Sequence, residues 1–160
     1  MKENLIAVKK WLKKIPEKEL AIPNLEQAIN DIDTKLVNPP TSILAGISQY
    51  GERMAADSEP TSKGERYLAW KEEQLDRREM LFEKLMQYKR EVRQYHDTLE
   101  GLERLHGERA KEIVHAKFYR GIRPDYTIYR MMVFCSKRTF YKELSVGLQF
   151  YSNVLPDLFM

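Results

Sequence analysis

In the stretch CSKRTFYKEL, residues 135–144, the side chains of Lys137, Arg138, Thr139, Tyr141 and Lys142 fall within six positions, interrupted by one large hydrophobe, Phe140. Three of them carry positive charge and all can donate hydrogen bonds, so their shared chemistry is recognition of something anionic. Arginine can read guanine through two parallel hydrogen bonds, threonine and tyrosine can reach a phosphate or a thymine methyl, and lysine neutralises phosphates. On an isolated helix the same residues would form an ordinary solvated face. The elements that hold the stretch in place decide between the two readings.

Ser136 stands immediately before it as a helix N-cap, and Phe140, Leu144, Leu148 and Tyr151 recur on one face of the helix that follows. Upstream, IRPDYTIYRMMVF reads as a short helix that Asp125 can cap, with Ile128, Met131 and Met132 on its apolar side and Arg130 as a further cation. Before that, ERAKEIVHAKFYRG reads as a helix with Ile113, Ala116/Lys117 and Tyr119/Arg120 at helical spacing, closed by Gly121 just past its C-terminus. A helix, a glycine turn, a short helix, a tight turn and a longer basic helix make a helix-turn-helix. Such a motif needs a capped last helix with cations exposed on its first turns. That placement favours a face built to read DNA, with Ser136, Lys137, Arg138, Thr139, Tyr141, Lys142 and Arg130 as the DNA-binding residues.

The rest of the chain reads as helical scaffolding. Leu5, Val8, Trp11/Leu12 and Ile15 predict an amphipathic helix over residues 3–15, stopped by Pro16; such a basic helix can pack on a neighbour or lie on a membrane, and packing is the commoner use. Asn24 is placed to cap a second helix over 24–36, carrying Leu25, Ile29, Ile32 and Leu36 and ending before Pro39-Pro40. Residues 1–37 are therefore expected to be a helical pair. Residues 38–64, rich in Gly, Ser and Pro, read as a long connection with one short ordered piece around Ile43–Tyr50. From Glu65 to Gly101 the texture predicts a single long helix of roughly 54 Å at 1.5 Å per residue. Leu81, Leu85, Tyr88, Val92, Tyr95, Leu99 and Leu102 follow one another at alternating steps of four and three, the spacing of a coiled coil. This stripe can pack on the N-terminal helices or on a second copy. Because two short helices of about 20 Å each would leave much of the rod uncovered, the expectation is a homo-oligomer, most simply a dimer.

Bulk properties narrow the function classes. Seven Gly and seven Pro in 160 residues are too few for an all-β protein, and 32% charged residues suit long solvated helices. The net charge of +3 is unevenly spread: residues 1–101 hold 17 Lys/Arg against 18 Asp/Glu, and residues 102–160 hold 10 against 6. The basic C-terminal third points weakly to nucleic acid. With Cys135 as the single cysteine no intrachain disulfide can form, which suits a reducing compartment. The longest apolar run near the N-terminus is too short for a signal-peptide core, and no segment reaches the length of a membrane span; the expected location is the cytoplasm. His96, His106 and His115 lack metal-ligand spacing, Cys135 lies in an apolar stretch where it is expected to pack, and there is no phosphate-binding or dinucleotide loop. No enzyme, metal or cofactor is expected.

The sequence ERAKEIVHAKFYRG…YTIYRMMVFCSKRTFYKELSVGL resembles the region-4-like helix-turn-helix of sigma factors, and more closely the phage late-transcription regulators of the ArpU and RinA type. The likeness is carried by the first helix ending in FYRG, by the SKRTFY opening of the last helix, and by the paired helices, loop and long charged helix that precede them. It is specific over about 50 C-terminal residues. The sequence departs from the family in the aromatic and Met-rich YTIYRMMVF helix, and in Phe134-Cys135 where a small residue or Asn is more usual. The resemblance implies binding to promoter DNA and activation of late or lytic genes. The expected architecture is all-α: N-terminal helices and a long coiled-coil-like helix, followed by a helix-turn-helix over 102–160. The partners would be double-stranded DNA and, as a further candidate, RNA polymerase. The alternative is a helical assembly or adaptor protein, such as a packaging subunit or a polymerase-binding factor, whose basic helix meets protein instead.

Overall fold

The computed structural model describes residues 2–43 and 61–159, and every regular element among them is helical. In chain order these are α1 (Lys2–Val37), α2 (Thr61–His106), α3 (Glu108–Val114, prolonged by a wider π turn over His115–Tyr119), α4 (Asp125–Thr127, prolonged likewise over Ile128–Met132), α5 (Lys137–Val154) and a 3₁₀ turn at Pro156–Leu158. Among the described residues no helix is long and apolar enough to cross a membrane. Residues 44–60 carry most of the expected loop, including nearly all of its short ordered piece, and lie outside the described residues.

The N-terminal pair is one helix. Pro16 and Pro23 both sit inside α1, where each removes a backbone donor, at about 3 kcal/mol or more in a helix interior. The helix runs through them because its inward stripe never leaves phase. Val8, Leu12, Ile15, Lys18, Ile22, Leu25, Ile29, Ile32 and Leu36 follow at steps of three and four, averaging about 3.5 residues. Val8, Leu12, Ile15, Leu25, Ile29 and Ile32 are buried, and tertiary burial overrides the two proline penalties. A second correction concerns α2, which starts at Thr61 and continues through Gly101 to His106. Gly101 does not stop the helix because it serves a packing contact: a Cβ there would lie 3.3 Å from the Phe150 ring. The helix ends instead at Gly107, whose φ of 97° is a conformation glycine adopts without strain.

The chain forms two compact units, Met1–Ala21 with Tyr88–Met160, and Ile22–Gln87. Residues 102–160 thus fold together with the N-terminal 21 residues and the last third of α2. In this unit Val8, Leu12 and Ile15 of α1 and Tyr95, Leu99 and Leu102 of α2 join Ile113, Val114, Phe118, Ile128, Phe140, Leu148 and Tyr151 in one core. Part of the α2 stripe read as a seam between copies is covered within the chain, while Leu81, Tyr88 and Val92 are half-buried. Tyr95, Leu99 and Leu102 are buried in this core, and Leu85 is buried in the other unit. The N-terminal helix is about 54 Å long at 1.5 Å per residue, not two rods of about 20 Å. In the unit of residues 22–87, Leu25, Ile29, Ile32 and Leu85 are buried, and Arg78 Nε pairs with Asp33 Oδ1 at 2.5 Å.

Candidate nucleic-acid interface

Two helix ends frame the site, and both close by the same device. After α3 the Ile122 N–H reaches back to the Ala116 carbonyl at 3.0 Å, with Gly121 between them at φ 63°. After α4 the Cys135 N–H reaches the Tyr129 carbonyl at 2.8 Å, with Phe134 at φ 51°. This six-residue closure requires a left-handed residue past the helix end, which glycine adopts freely and an L side chain adopts at a cost of about 1–2 kcal/mol. Gly121 fulfils the expectation for the first helix. At the second, the strained residue is a phenylalanine that is 78% exposed.

The turn delivers the chain to Ser136, the N-cap of α5, whose Oγ accepts from the Thr139 N–H at 3.1 Å and donates to Thr139 Oγ1 at 2.9 Å. Ser136 and Thr139 are thus partly committed to capping. Lys137, Arg138 and Lys142 are exposed, and none has a carboxylate partner among the described residues. The first turn of α5 contains no acidic residue. Cations there oppose the helix dipole, an arrangement that lowers stability by about 0.3–1 kcal/mol each yet concentrates positive potential at one end. On the opposite side Phe140, Leu144, Leu148 and Tyr151 are buried, as their spacing predicts. The orientation of α5 is fixed against α3 at Gly147, where an added Cβ would lie 2.5 Å from Val114 Cγ2.

The short helix differs from expectation in two respects. Met131 points outward and is exposed; Ile128 is the buried member, with Met132 partly buried. The reason is the wider π turn over Ile128–Met132, which rotates the following residues away from a 3.6-residue period. Asp125 is the first residue of α4, not its cap, and Pro124 stands in the cap position. The Asp125 carboxylate is spent across the site: it accepts from Lys117 Nζ at 3.1 and 3.2 Å and from the Tyr141 hydroxyl at 3.2 Å. Partial desolvation and the hydrogen bond to Asp125 raise the Tyr141 hydroxyl above the ordinary tyrosine range, so it stays a donor. Lys117 also lies 5.9 Å from the Phe140 ring centre. Arg130 is exposed, its guanidinium 5.9 Å from the Tyr126 ring and 6.0 Å from the Tyr129 ring. Tyr126, Met131 and Phe134 add exposed apolar surface on α4 and the turn after it.

Behind the interface, packing assembles a group of residues that share no sequence motif. The buried Tyr95 stacks on Tyr119 at 5.5 Å and on Tyr151 at 6.0 Å, and its hydroxyl lies 2.9 Å from His115 Nδ1. Tyr119 donates to Glu19, which also faces His96. Burial, with the neighbouring His96, Arg120 and Lys111 charges, lowers the His115 pKa and favours the neutral imidazole, whose Nδ1 shares a hydrogen bond with the Tyr95 hydroxyl. Burial, then Tyr119 and Glu19, hold the Tyr95 hydroxyl protonated far above its ordinary range, and the hydrogen bond to Glu19 pushes Tyr119 up to about 12. Cys135 packs, partly buried, against the same core. Among the described residues no cluster of three or more His, Cys, Asp or Glu could hold a metal ion. No protein-family model matches this chain, and no curated protein or solved structure matches it.

Proposed function

We propose that the chain is a sequence-specific double-stranded DNA-binding protein that regulates transcription, with α5 as the helix that enters the major groove. The observation that carries this reading is the polarity of α5. Its first turns expose Lys137, Arg138 and Lys142 without ion-pair partners, around a cap set by Ser136, while Phe140 and Leu144 anchor the same turns in the core. A helix so anchored holds its cations at fixed positions, which base reading demands and a merely solvated face does not. Arg138 is the candidate for base contact and Lys137 and Lys142 for phosphates, with Arg130 reaching the backbone from α4. Tyr141, tied to Asp125, positions its neighbours and can still accept or share a hydrogen bond. The resemblance to ArpU- and RinA-type regulators supports a role in activating phage late or lytic genes, acting in the cytoplasm.

Selection of bound fragments from the source genome by the purified protein tests the reading directly. On the selected site, Arg138→Ala should cost about 1–3 kcal/mol and relax base preference, whereas Lys142→Ala should weaken binding to all duplexes alike. Equal losses by both variants on selected and random duplexes would sink the assignment. A second reading draws on the exposed Tyr126, Met131 and Phe134: a protein partner, RNA polymerase among them, that buries apolar surface beside the turn. Salt separates the two, because phosphate contacts make affinity fall steeply with ionic strength and an apolar contact does not.

A further inference from the structure

A second basic feature lies beside the interface, where neither the periodicity nor the helix-turn-helix spacing places it. Lys9 and Lys13 of α1, Lys117 of α3, and Arg123, Pro124 and Asp125 at the start of α4 line an open cleft of about 690 Å³. Lys117 is paired with Asp125. Lys9, Lys13 and Arg123 are exposed and have no carboxylate partner among the described residues, so the cleft carries four cations against one carboxylate. Like charges gathered in this way repel one another, and an anion in the cleft would relieve that repulsion. Lys9 and Lys13 stand one turn apart on the same face of α1, about 6 Å along the helix, and can meet different phosphates of one strand, which advances about 3.4 Å per nucleotide. Asp125 joins the cleft to α5, because the carboxylate that holds Lys117 also accepts from Tyr141.

We propose that this cleft receives the phosphodiester backbone of the duplex that α5 reads, with Lys9, Lys13 and Arg123 as three phosphate contacts. The inference rests on the DNA-binding reading. It adds the N-terminal helix to the footprint: α1 clamps the backbone while α5 enters the groove. These contacts carry no sequence information; they set affinity and register.

The test compares three forms of the full chain on two 30-bp duplexes, one selected by the protein and one random, over a range of salt concentrations. The forms are the unmodified protein, the variant Lys9→Gln/Lys13→Gln/Arg123→Gln, and a control, Lys10→Gln/Lys14→Gln, which neutralises exposed lysines of α1 that do not line the cleft. The slope of log affinity against log salt should become shallower by about 2.7 in the cleft variant, roughly 0.9 for each phosphate that no longer meets a cation. Preference for the selected duplex should be unchanged, and the melting temperature should not fall. Charge-conserving exchange, Lys9→Arg/Lys13→Arg/Arg123→Lys, should restore the slope. An unchanged slope in the cleft variant, or an equal change in the control, overturns the cleft while leaving α5 as reader. If the unmodified protein binds neither duplex, the DNA-binding reading itself fails.

Discussion

The two compact units are built from the same two helices and differ in what those helices meet. In the unit of Met1–Ala21 and Tyr88–Met160, α1 and α2 close over a third layer, α3 to α5, and the core takes in fully buried residues from every helix. In the unit of Ile22–Gln87 the buried set among the described residues is Leu25, Ile29, Ile32 and Leu85, while Leu68, Leu75, Met80 and Phe82 remain exposed. One helical stripe continues through both units, so patterning alone does not distinguish them. What differs is how much apolar surface each stripe finds to cover it, at about 25 cal/mol per Å². Positional precision at α5 therefore derives from the first unit, and amide exchange should open the second unit at lower free energy.

The largest expected effect is at Phe140, fully buried between α5 and Tyr129 of α4. Phe140→Ala should destabilise the first unit by about 3–5 kcal/mol and remove the proposed DNA binding through unfolding. An unchanged melting temperature would show that this register of α5 is wrong. Next come the two ion pairs, one in each unit and each with N–O separation of 2.5 Å. Lys18–Glu91 is 16% and 11% exposed, whereas Arg78–Asp33 is 38% and 44% exposed. Lys18 occupies a stripe position and also lies 5.5 Å from the Tyr88 ring centre. Lys18→Met should cost about 1.5–3 kcal/mol by leaving Glu91 buried without its partner. Arg78→Met should leave chemical denaturation unaltered, because solvent screens an exposed pair. Equal effects would erase the distinction between the units.

Gly147 tests the packing of α5 on α3. Gly147→Ala places a methyl 2.5 Å from Val114 Cγ2, and Val114 is buried and β-branched, with little freedom to turn aside. The expected loss is about 1–3 kcal/mol, read by denaturant unfolding, with a loss of preference for the selected duplex if α5 tilts. Wild-type stability in this variant would mean that the two helices are farther apart than this packing requires.

Much of the candidate interface was legible because its signals are local. A serine before a basic run, a glycine after FYR, and Phe140, Leu144, Leu148 and Tyr151 at three- and four-residue steps each act within a turn or two of chain. The all-α architecture followed from the same periodicities. Among the readings that failed, two show local rules meeting a competing term. Pro16 read as a stop and Asn24 as a new cap, yet the stripe from Val8 to Leu36 keeps its phase across Pro16 and Pro23, a signal that outweighs either proline once the stripe is buried. That error divided one N-terminal helix into two short ones. Asp125 read as a cap because it precedes a helical run, but its carboxylate meets Lys117 and Tyr141, partners 8 and 16 residues away. The contact of Tyr95 with His115, and the placing of Lys9 and Arg123 on the lining of one cleft, depend on how helices cross, and no spacing in the chain announces them.

Phe134 and Gly121 end their helices by the same closure, which makes them a matched comparison within the first unit. Phe134→Gly should stabilise the protein by about 1 kcal/mol, since it removes the left-handed strain and gives up little burial. Gly121→Ala should do the reverse by a similar amount. A destabilised Phe134→Gly protein would mean that the phenylalanine ring holds the turn by contacts that outweigh its backbone strain.

The smallest expected effect is a shallow dependence of stability on pH confined to the unit that contains all three histidines, His96, His106 and His115. The folded-state pKa of His115 is lowered by burial and by His96, Arg120 and Lys111, with Glu19 opposing; Glu112 lines the same open pocket beside the ring. The unfolded chain therefore binds the proton more readily than the native one below the ordinary value of about 6.5. Stability is undiminished above that value, falls as pH drops through the window toward the lowered native pKa, and levels off for this group below it. In the protonated ring both nitrogens donate, so that the Tyr95 hydroxyl can then only accept from Nδ1. His115→Gln keeps a group that can donate to or accept from Tyr95 and removes the titration, so its unfolding free energy should be flatter across the window, with amide protection in residues 22–37 and 64–87 following neither protein's pH response. Parallel curves for the two proteins would mean that His115 titrates as freely in the native state as in the unfolded chain.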